Sequence, residues 1–109
     1  MPRFVILEHS HRGTHWDFML EAGAVLRTWA LDRPPDSPGP IAARRSFDHR
    51  AMYLDYEGPI GGDRGEVRRW DAGTYRMIED SAGAVEVELR GRQSPQGQQR
   101  TAPMANGSR

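Results

Sequence analysis

The chain has 109 residues, the length of one domain, and its formal net charge at pH 7 is zero. This balance excludes a whole-molecule positive field that would steer the protein toward nucleic acid, but it allows a local basic patch. All fifteen basic residues are arginine, and the absence of cysteine excludes disulfides, thiolate metal sites and cysteine nucleophiles. There is no apolar signal-type segment and no stretch of membrane-spanning length, so we expect a cytoplasmic protein without membrane contact.

The first third of the chain has the pattern of three strands, at residues 3–8, 15–21 and 25–31, the last two joined by a tight glycine turn. Successive side chains of a strand point to opposite faces. In residues 15–21 this alternation collects the large apolar side chains on one face, which we expect to be the core face: Trp16, Phe18 and Leu20. The opposite face, with His15, Asp17 and Met19, is expected to point away from the core.

The rest of the chain predicts further short strands and irregular segments. Residues 32–40 contain four prolines and predict a surface loop. Strands are predicted at 52–57, 66–70, 74–79 and 84–90, and the polar residues 93–109 predict a disordered C-terminal tail. We therefore expect an all-β domain over residues 1–92, mainly antiparallel, forming a compact small β-barrel with short or no helices.

Three of the four histidines and one carboxylate lie in a short stretch near the N-terminus. His15 and Asp17 share a strand face, and a turn at Gly13 could return the chain so that His9 lies beside them. Two imidazoles and a carboxylate are a plausible divalent-metal site, and His11 is the least certain member of the group. The alternative is that these histidines are simply solvated at strand ends.

Four groups of residues, taken together and in order, carry a family resemblance. They are His9-x5-His15-Trp16-Asp17-Phe18-x-Leu20-Glu21, Thr28-Trp29-Ala30, Asp48-His49-x3-Tyr53-Leu54-Asp55-Tyr56-Glu57-Gly58 and Trp70-Asp71-x-Gly73-Thr74-Tyr75. This pattern, from about Phe4 to Gly91, resembles the 3′-phosphoesterase domain of bacterial DNA ligase D and its free-standing relatives.

The resemblance implies a compact β-barrel enzyme that depends on manganese, although two imidazoles also suit zinc or another divalent metal. The implied activity resects the 3′ end of a DNA or RNA–DNA strand by removing a terminal ribonucleoside and then the 3′-phosphate. The 3′-OH that remains would serve a separate DNA ligase or polymerase in non-homologous end joining, and we expect a monomer.

The resemblance also assigns roles to residues. Those that match His9, His15 and Asp17 hold the metal, and those that match His49 and Tyr53 act at the scissile phosphate. The family motif continues with a phosphate-binding arginine where this chain has Met19, which can neither donate a hydrogen bond nor carry charge. We expect Arg12, Arg33 or Arg50 to supply the missing phosphate or nucleic-acid contact. The segment Gly58–Gly65 is also shorter than in the family.

Two other functions are compatible with the residues. The chain has Met19 where the family has an arginine, and this replacement is also expected in a protein that retains the metal but only binds a nucleic-acid end or a partner protein. Alternatively, His15 and Asp17 with a distant His49 would satisfy the two-histidine, one-carboxylate pattern of non-haem iron oxygenases.

Overall fold

The computed structural model describes residues 1–38, 41–92 and 100–104, the last of these as backbone only. In this part of the chain, strands account for nearly all of the regular structure. They are β1 (Arg3–Ser10), β2 (Thr14–Ala22), β3 (Val25–Leu31), β4 (Ala43–Arg45), β5 (His49–Arg50), β6 (Gly58–Pro59), β7 (Glu66–Asp80), β8 (Val85–Gly91) and β9 (Arg100–Met104), with one 3-10 helix, η1 (Ala51–Leu54), between β5 and β6.

The strands form one antiparallel sheet in the order β4-β3-β2-β1-β7-β8-β9, with β5 paired to β3 and β6 paired to β7. The predicted β2–β3 hairpin is confirmed, as is the hairpin before the last predicted strand, β7–β8. The all-β, mainly antiparallel fold is confirmed as well. No helix among the described residues combines the length and the apolar character needed to cross a membrane.

The sheet is buried on both faces. The larger cluster draws side chains from five adjacent strands, so the sheet must curl around it: Phe4, Ile6, Phe18, Leu20, Trp29, Leu31, Tyr75, Val85, Val87 and Leu89. A second cluster covers the other face: Val5, Leu7, Met19, Leu26, Leu54 and Val67.

The second cluster corrects one prediction about β2. The face that carries Asp17 and Met19 does not point away from the core, because these residues are only 5% and 1% exposed. Residues from the segment between β5 and β7 pack over this face, among them Leu54 from η1 and Ile60. His15 and Asp17, which share this face of β2, therefore lie at the border of the second apolar cluster.

The predicted strand at 52–57 is wrong, since its first part is the 3-10 helix η1. Strand alternation would place the neighbours Tyr53 and Leu54 on opposite faces. Both side chains instead pack into the second cluster, and a tight helical turn permits this.

The predicted strands 66–70 and 74–79 are one continuous strand, β7. The residues between them suggest a turn, but Asp71 is buried and accepts hydrogen bonds from the backbone N–H groups of Ala72 (2.8 Å) and Arg92 (2.7 Å). β7 has one more residue than β1 at this point, because Ile6 pairs with Asp71 whereas the next residue, Leu7, pairs with Arg69. A β-bulge in β7 accommodates the additional residue.

The predicted tail at 93–109 is only partly within the described structure. Residues 100–104 form β9, which pairs with β8, so the prediction is wrong there. Edge pairing needs only backbone hydrogen bonds, and a polar sequence can therefore form it. Residues 93–99 and 105–109 lie outside the described residues.

Two glycines of the β7–β8 hairpin give a matched test of the packing. A Cβ at Gly73 would overlap the backbone carbonyl of Arg90, whereas a Cβ at Gly83 would meet nothing within 4 Å. We expect Gly73→Ala to lower the free energy of unfolding by more than about 2 kcal/mol, and Gly83→Ala to change it by less than about 0.5 kcal/mol. Urea denaturation monitored by tryptophan fluorescence measures both, and equal midpoints would contradict the described strand spacing.

Candidate active site

Three potential metal ligands lie close together where β1 ends and β2 begins. The register of the β1–β2 pair sets His9 directly opposite His15, and Leu7 opposite Asp17. Side chains directly opposite each other in an antiparallel pair share a face, so both imidazoles and the carboxylate project together. The predicted triad is thus brought together by backbone pairing.

The distances within the triad are short. His9 Nδ1 lies 3.6 Å from Asp17 Oδ2, and His15 Nε2 lies 3.0 Å from Asp17 Oδ1. The two imidazole rings meet edge to face with their centroids 4.7 Å apart. One ligand atom from each residue lies within 4.8 Å of the other two.

These separations fit a divalent cation. Nitrogen and carboxylate donors bind Zn²⁺ at about 2.0–2.2 Å, so neighbouring donors of one ion lie roughly 3–3.6 Å apart. The distance from each histidine to its nearer Asp17 oxygen, Oδ2 for His9 and Oδ1 for His15, is already in this range. Asp17 is almost fully buried beside the two rings, and a cation there would compensate its charge.

A backbone carbonyl fixes the ring of His9. Its Nε2 lies 2.8 Å from the carbonyl oxygen of Arg64, which can only accept, so Nε2 carries the proton. Nδ1 is then the free lone pair, and it is the nitrogen that faces Asp17. Such contacts behind a metal-binding imidazole usually set its tautomer and orientation. Gly65 permits the approach, because its φ is +81° and a Cβ there would collide with the Ser10 carbonyl.

His15 interacts with the same carboxylate on its other side. The hydrogen bond to Asp17 raises the pKa of His15, and burial opposes this in part. The carboxylate thus favours the positively charged form of His15.

His49, the fourth histidine, is held by a second hydrogen-bond network. Its Nδ1 lies 2.9 Å from Thr28 Oγ1 and 3.0 Å from the carbonyl oxygen of Phe47. The Thr28 hydroxyl donates its own proton to the Leu26 carbonyl, so both neighbours of Nδ1 act as acceptors. Nδ1 therefore carries a proton, and Nε2 is available to a ligand.

Burial lowers the pKa of His49, although the nearby Asp17 carboxylate and the Phe47 carbonyl act in the opposite direction. This shift favours the neutral imidazole, whose lone pair lies on Nε2 when Nδ1 carries the proton.

One cavity of about 250 Å³ is lined by His9, Asp17 and His49, while His15 is not among its lining residues. His9 and Asp17 line one part and His49 another, while Tyr53 contributes a ring that meets His49 edge to face with centroids 5.7 Å apart. Most of the remaining wall is apolar, and it includes the buried side chain of Met19. The residues that complete the lining are Leu7, Phe47, Asp48, Arg50, Ile60, Arg64 and Val67.

The predicted phosphate-binding arginines are divided by the fold. Arg50 follows His49 in β5 and lines the cavity. Arg12 lies in the β1–β2 turn with a φ of +54°, and Arg33 lies in the exposed loop after β3; neither is among the lining residues. Arg64 does line it, and its Nε donates to the Gly61 carbonyl at 2.6 Å.

Sequence reasoning missed the supporting contacts of this site. Thr28, which contacts His49, belongs to the family pattern, but the sequence assigned it no role. Arg64 holds the His9 ring through its backbone carbonyl. The carbonyl leaves no signal in the sequence, because every residue has one. His11 stacks near His9 with ring centroids 6.2 Å apart but is not part of the metal-type group found among the described residues.

The fold and the site together define a small antiparallel β-domain with a two-histidine, one-carboxylate centre that opens into a histidine-lined cavity. A model of the DNA Ligase D 3'-phosphoesterase domain matches residues 7–100. The chain belongs to this family.

Curated relatives agree with this assignment. The chain is 39% identical over 97 residues to the multifunctional non-homologous end joining DNA repair protein LigD of Mycobacterium tuberculosis, covering 81% of this chain and 13% of that protein. It is 32% identical over 107 residues to LigD of Mycolicibacterium smegmatis, with coverage of 82% and 14%. The LigD protein of Pseudomonas aeruginosa matches at 30% over 89 residues, with coverage of 77% and 11%. The chain thus spans about an eighth of the length of these relatives.

The triad geometry predicts that a divalent cation stabilises the protein through Asp17. Saturating Mn²⁺ or Zn²⁺ should raise the melting temperature of the wild type by several degrees, since a ligand that binds only the folded state adds to its stability. Asp17→Asn should abolish this shift. Asp48→Asn is the matched control, because Asp48 lines the same cavity outside the triad and should leave the shift intact. Equal shifts in both variants, measured by calorimetry, would contradict the site.

Proposed function

We propose that this protein is a metal-dependent phosphoesterase that trims the 3′ end of a DNA or RNA–DNA strand during end-joining repair. Its reactions would be removal of a terminal ribonucleoside and of the remaining 3′-phosphate. One observation carries the proposal: a single cavity is lined by His9 and Asp17 on one side and by His49 on the other. Membership of the 3'-phosphoesterase family supports the same reaction class.

Manganese is the proposed cofactor, held by His9, His15 and Asp17, with zinc or another divalent metal as the alternative. A bound divalent ion polarises a phosphoryl oxygen and lowers the pKa of a bound water. The donor set supports either metal, since neutral imidazole suits zinc and several transition metals and carboxylate suits manganese.

His49 is proposed to act at the scissile phosphate. With Nδ1–H fixed by Thr28 and Phe47, Nε2 can accept a proton from an attacking water. Once protonated, the same atom can donate to a phosphoryl oxygen, where charge accumulates in the transition state. Tyr53 packs on the ring edge and holds it from the side of the second cluster.

Arg50 is the proposed replacement for the arginine that the family resemblance places at Met19. It is the member of the predicted set Arg12, Arg33 and Arg50 that lines the cavity. A guanidinium binds a phosphate with paired donors, which a methionine cannot do. The exposed position of Arg50 makes this contact weaker than a buried one, because water screens the charge.

The LigD relatives are named as multifunctional non-homologous end joining proteins. We propose that the 3′-OH left by this domain is used by a DNA ligase or polymerase, and that the domain itself acts as a monomer. The non-haem oxygenase alternative placed His49 in the metal set. Against it, the group of potential ligands among the described residues is His9, His15 and Asp17, without His49.

The proposed activity is tested on a primer–template with a 3′-terminal ribonucleotide or a 3′-phosphate. The wild type should convert both to a 3′-OH with Mn²⁺ and lose this activity in EDTA. His49→Ala should reduce the rate about a hundredfold or more, since general acid–base groups contribute on this scale, yet retain the metal-induced melting shift. Wild-type protein that binds metal and DNA ends without turnover would instead identify the binding module in which Met19 marks lost catalysis.

The proposed arginine replacement is tested by comparing exposed arginines. Arg50→Ala should lower kcat/KM on a 3′-phosphate end by roughly tenfold, as expected for loss of one charge-assisted hydrogen bond. Arg12→Ala and Arg33→Ala should have smaller effects, because neither residue lines the cavity. Arg68→Ala, on an exposed position of β7, is the control. A uniform loss across the four variants would overturn the assignment to Arg50.

A further inference from the structure

Phe47 is a large aromatic residue in a position that packing does not explain. Its side chain is 75% exposed, although every aromatic residue of the two core clusters is buried or half-buried. It lies in the irregular segment between β4 and β5 and lines the cavity that His9, Asp17 and His49 also line. Burial of apolar area therefore accounts for little of its presence there.

The orientation of the ring is well defined. The Phe47 and His49 rings are nearly parallel, with an interplanar angle of 13° and centroids 4.5 Å apart. One face of the phenyl ring thus covers His49. The high exposure of the side chain leaves the other face accessible from solvent.

In the proposed function a phosphate lies beside His49, and the Phe47 ring stacks on the ring of His49. A nucleotide whose phosphate lies between the triad and His49 carries its base one sugar away, outside the cavity. An exposed aromatic face at that point is the usual device by which proteins bind single-stranded ends, because every base has a π-face. Arg50, three residues further along the chain, also lines the cavity and can contact the backbone phosphate.

We propose that Phe47 is a stacking platform for the base of the nucleotide that carries the scissile phosphate, and so selects nucleic-acid 3′ ends over other phosphate esters. The inference rests on the proposed function of the cavity and adds the base as a recognised group. Stacking tolerates every base, so the platform would impose little sequence preference.

The experiment compares two 3′-phosphate ends that differ only in the terminal base, one normal and one abasic. Phe47→Leu removes the aromatic face but keeps an apolar side chain. It should raise KM on the base-bearing end by roughly tenfold, in the range known for base–aromatic stacking, and leave kcat nearly unchanged. On the abasic end it should behave as the wild type, and Phe47→Trp should retain wild-type KM on both ends.

A role limited to orienting His49 predicts a different result. Phe47→Leu would then lower kcat equally on both ends, and this outcome would overturn the proposal. Ile78→Ala is the control for general effects, because Ile78 is also an exposed apolar residue (45%) but lies outside the cavity lining.

Failure of the proposed reaction would be recognised separately, as a wild type that turns over neither end with Mn²⁺. Fluorescence anisotropy of the two labelled ends then decides the role of Phe47 without catalysis. Preference of the wild type for the base-bearing end, lost in Phe47→Leu, supports the platform. Equal affinity for both ends, or no binding to either, overturns it.

Discussion

The register between β1 and β2 is the constraint on which the candidate site depends. It places His9 opposite His15, and a shift of one residue would send one imidazole to the other face of the sheet. Both faces of β1 are buried, with Phe4 and Ile6 in the larger cluster and Val5 and Leu7 in the smaller. A one-residue shift would move each pair of side chains into the cluster on the opposite face, and the two clusters differ in size. Core packing thus fixes the position of polar residues that contribute nothing to it.

The site is completed by contacts from distant parts of the chain, each to one ring nitrogen. The Arg64 carbonyl holds His9, and the Thr28 hydroxyl holds His49. In both cases the partner selects which nitrogen is protonated, and the other nitrogen is left for a ligand. Orientation of this kind lowers the cost of binding, because the rings need not be ordered when a ligand arrives. Gly65 is therefore part of the site, because its positive φ and missing side chain allow the loop before β7 to pass close to the end of β1.

Features set by local periodicity are predictable from the sequence, whereas features set by packing are not. Alternation predicted the central strands, and the spacing from His15 to Asp17 predicted their shared face. The second apolar cluster was not predictable, because its cover comes from residues 51–60, where adjacent Tyr53 and Leu54 turn to the same side. The sequence predicted separate strands on the two sides of Asp71, since a buried carboxylate that binds backbone N–H groups has no local signature. The family resemblance supplied His49, which spacing alone could not connect to the triad.

The apolar floor changes how the cavity can hold a phosphate. Met19 is a buried part of the cavity wall, and the two arginines among the lining residues, Arg50 and Arg64, are exposed. Exposed charges are screened by water, so they attract a phosphate less strongly than a buried guanidinium would. A cation in the triad would then provide most of the attraction for a phosphate. Uncharged contacts would then add to recognition of the rest of the substrate, and the exposed face of Phe47 would supply one without another buried charge.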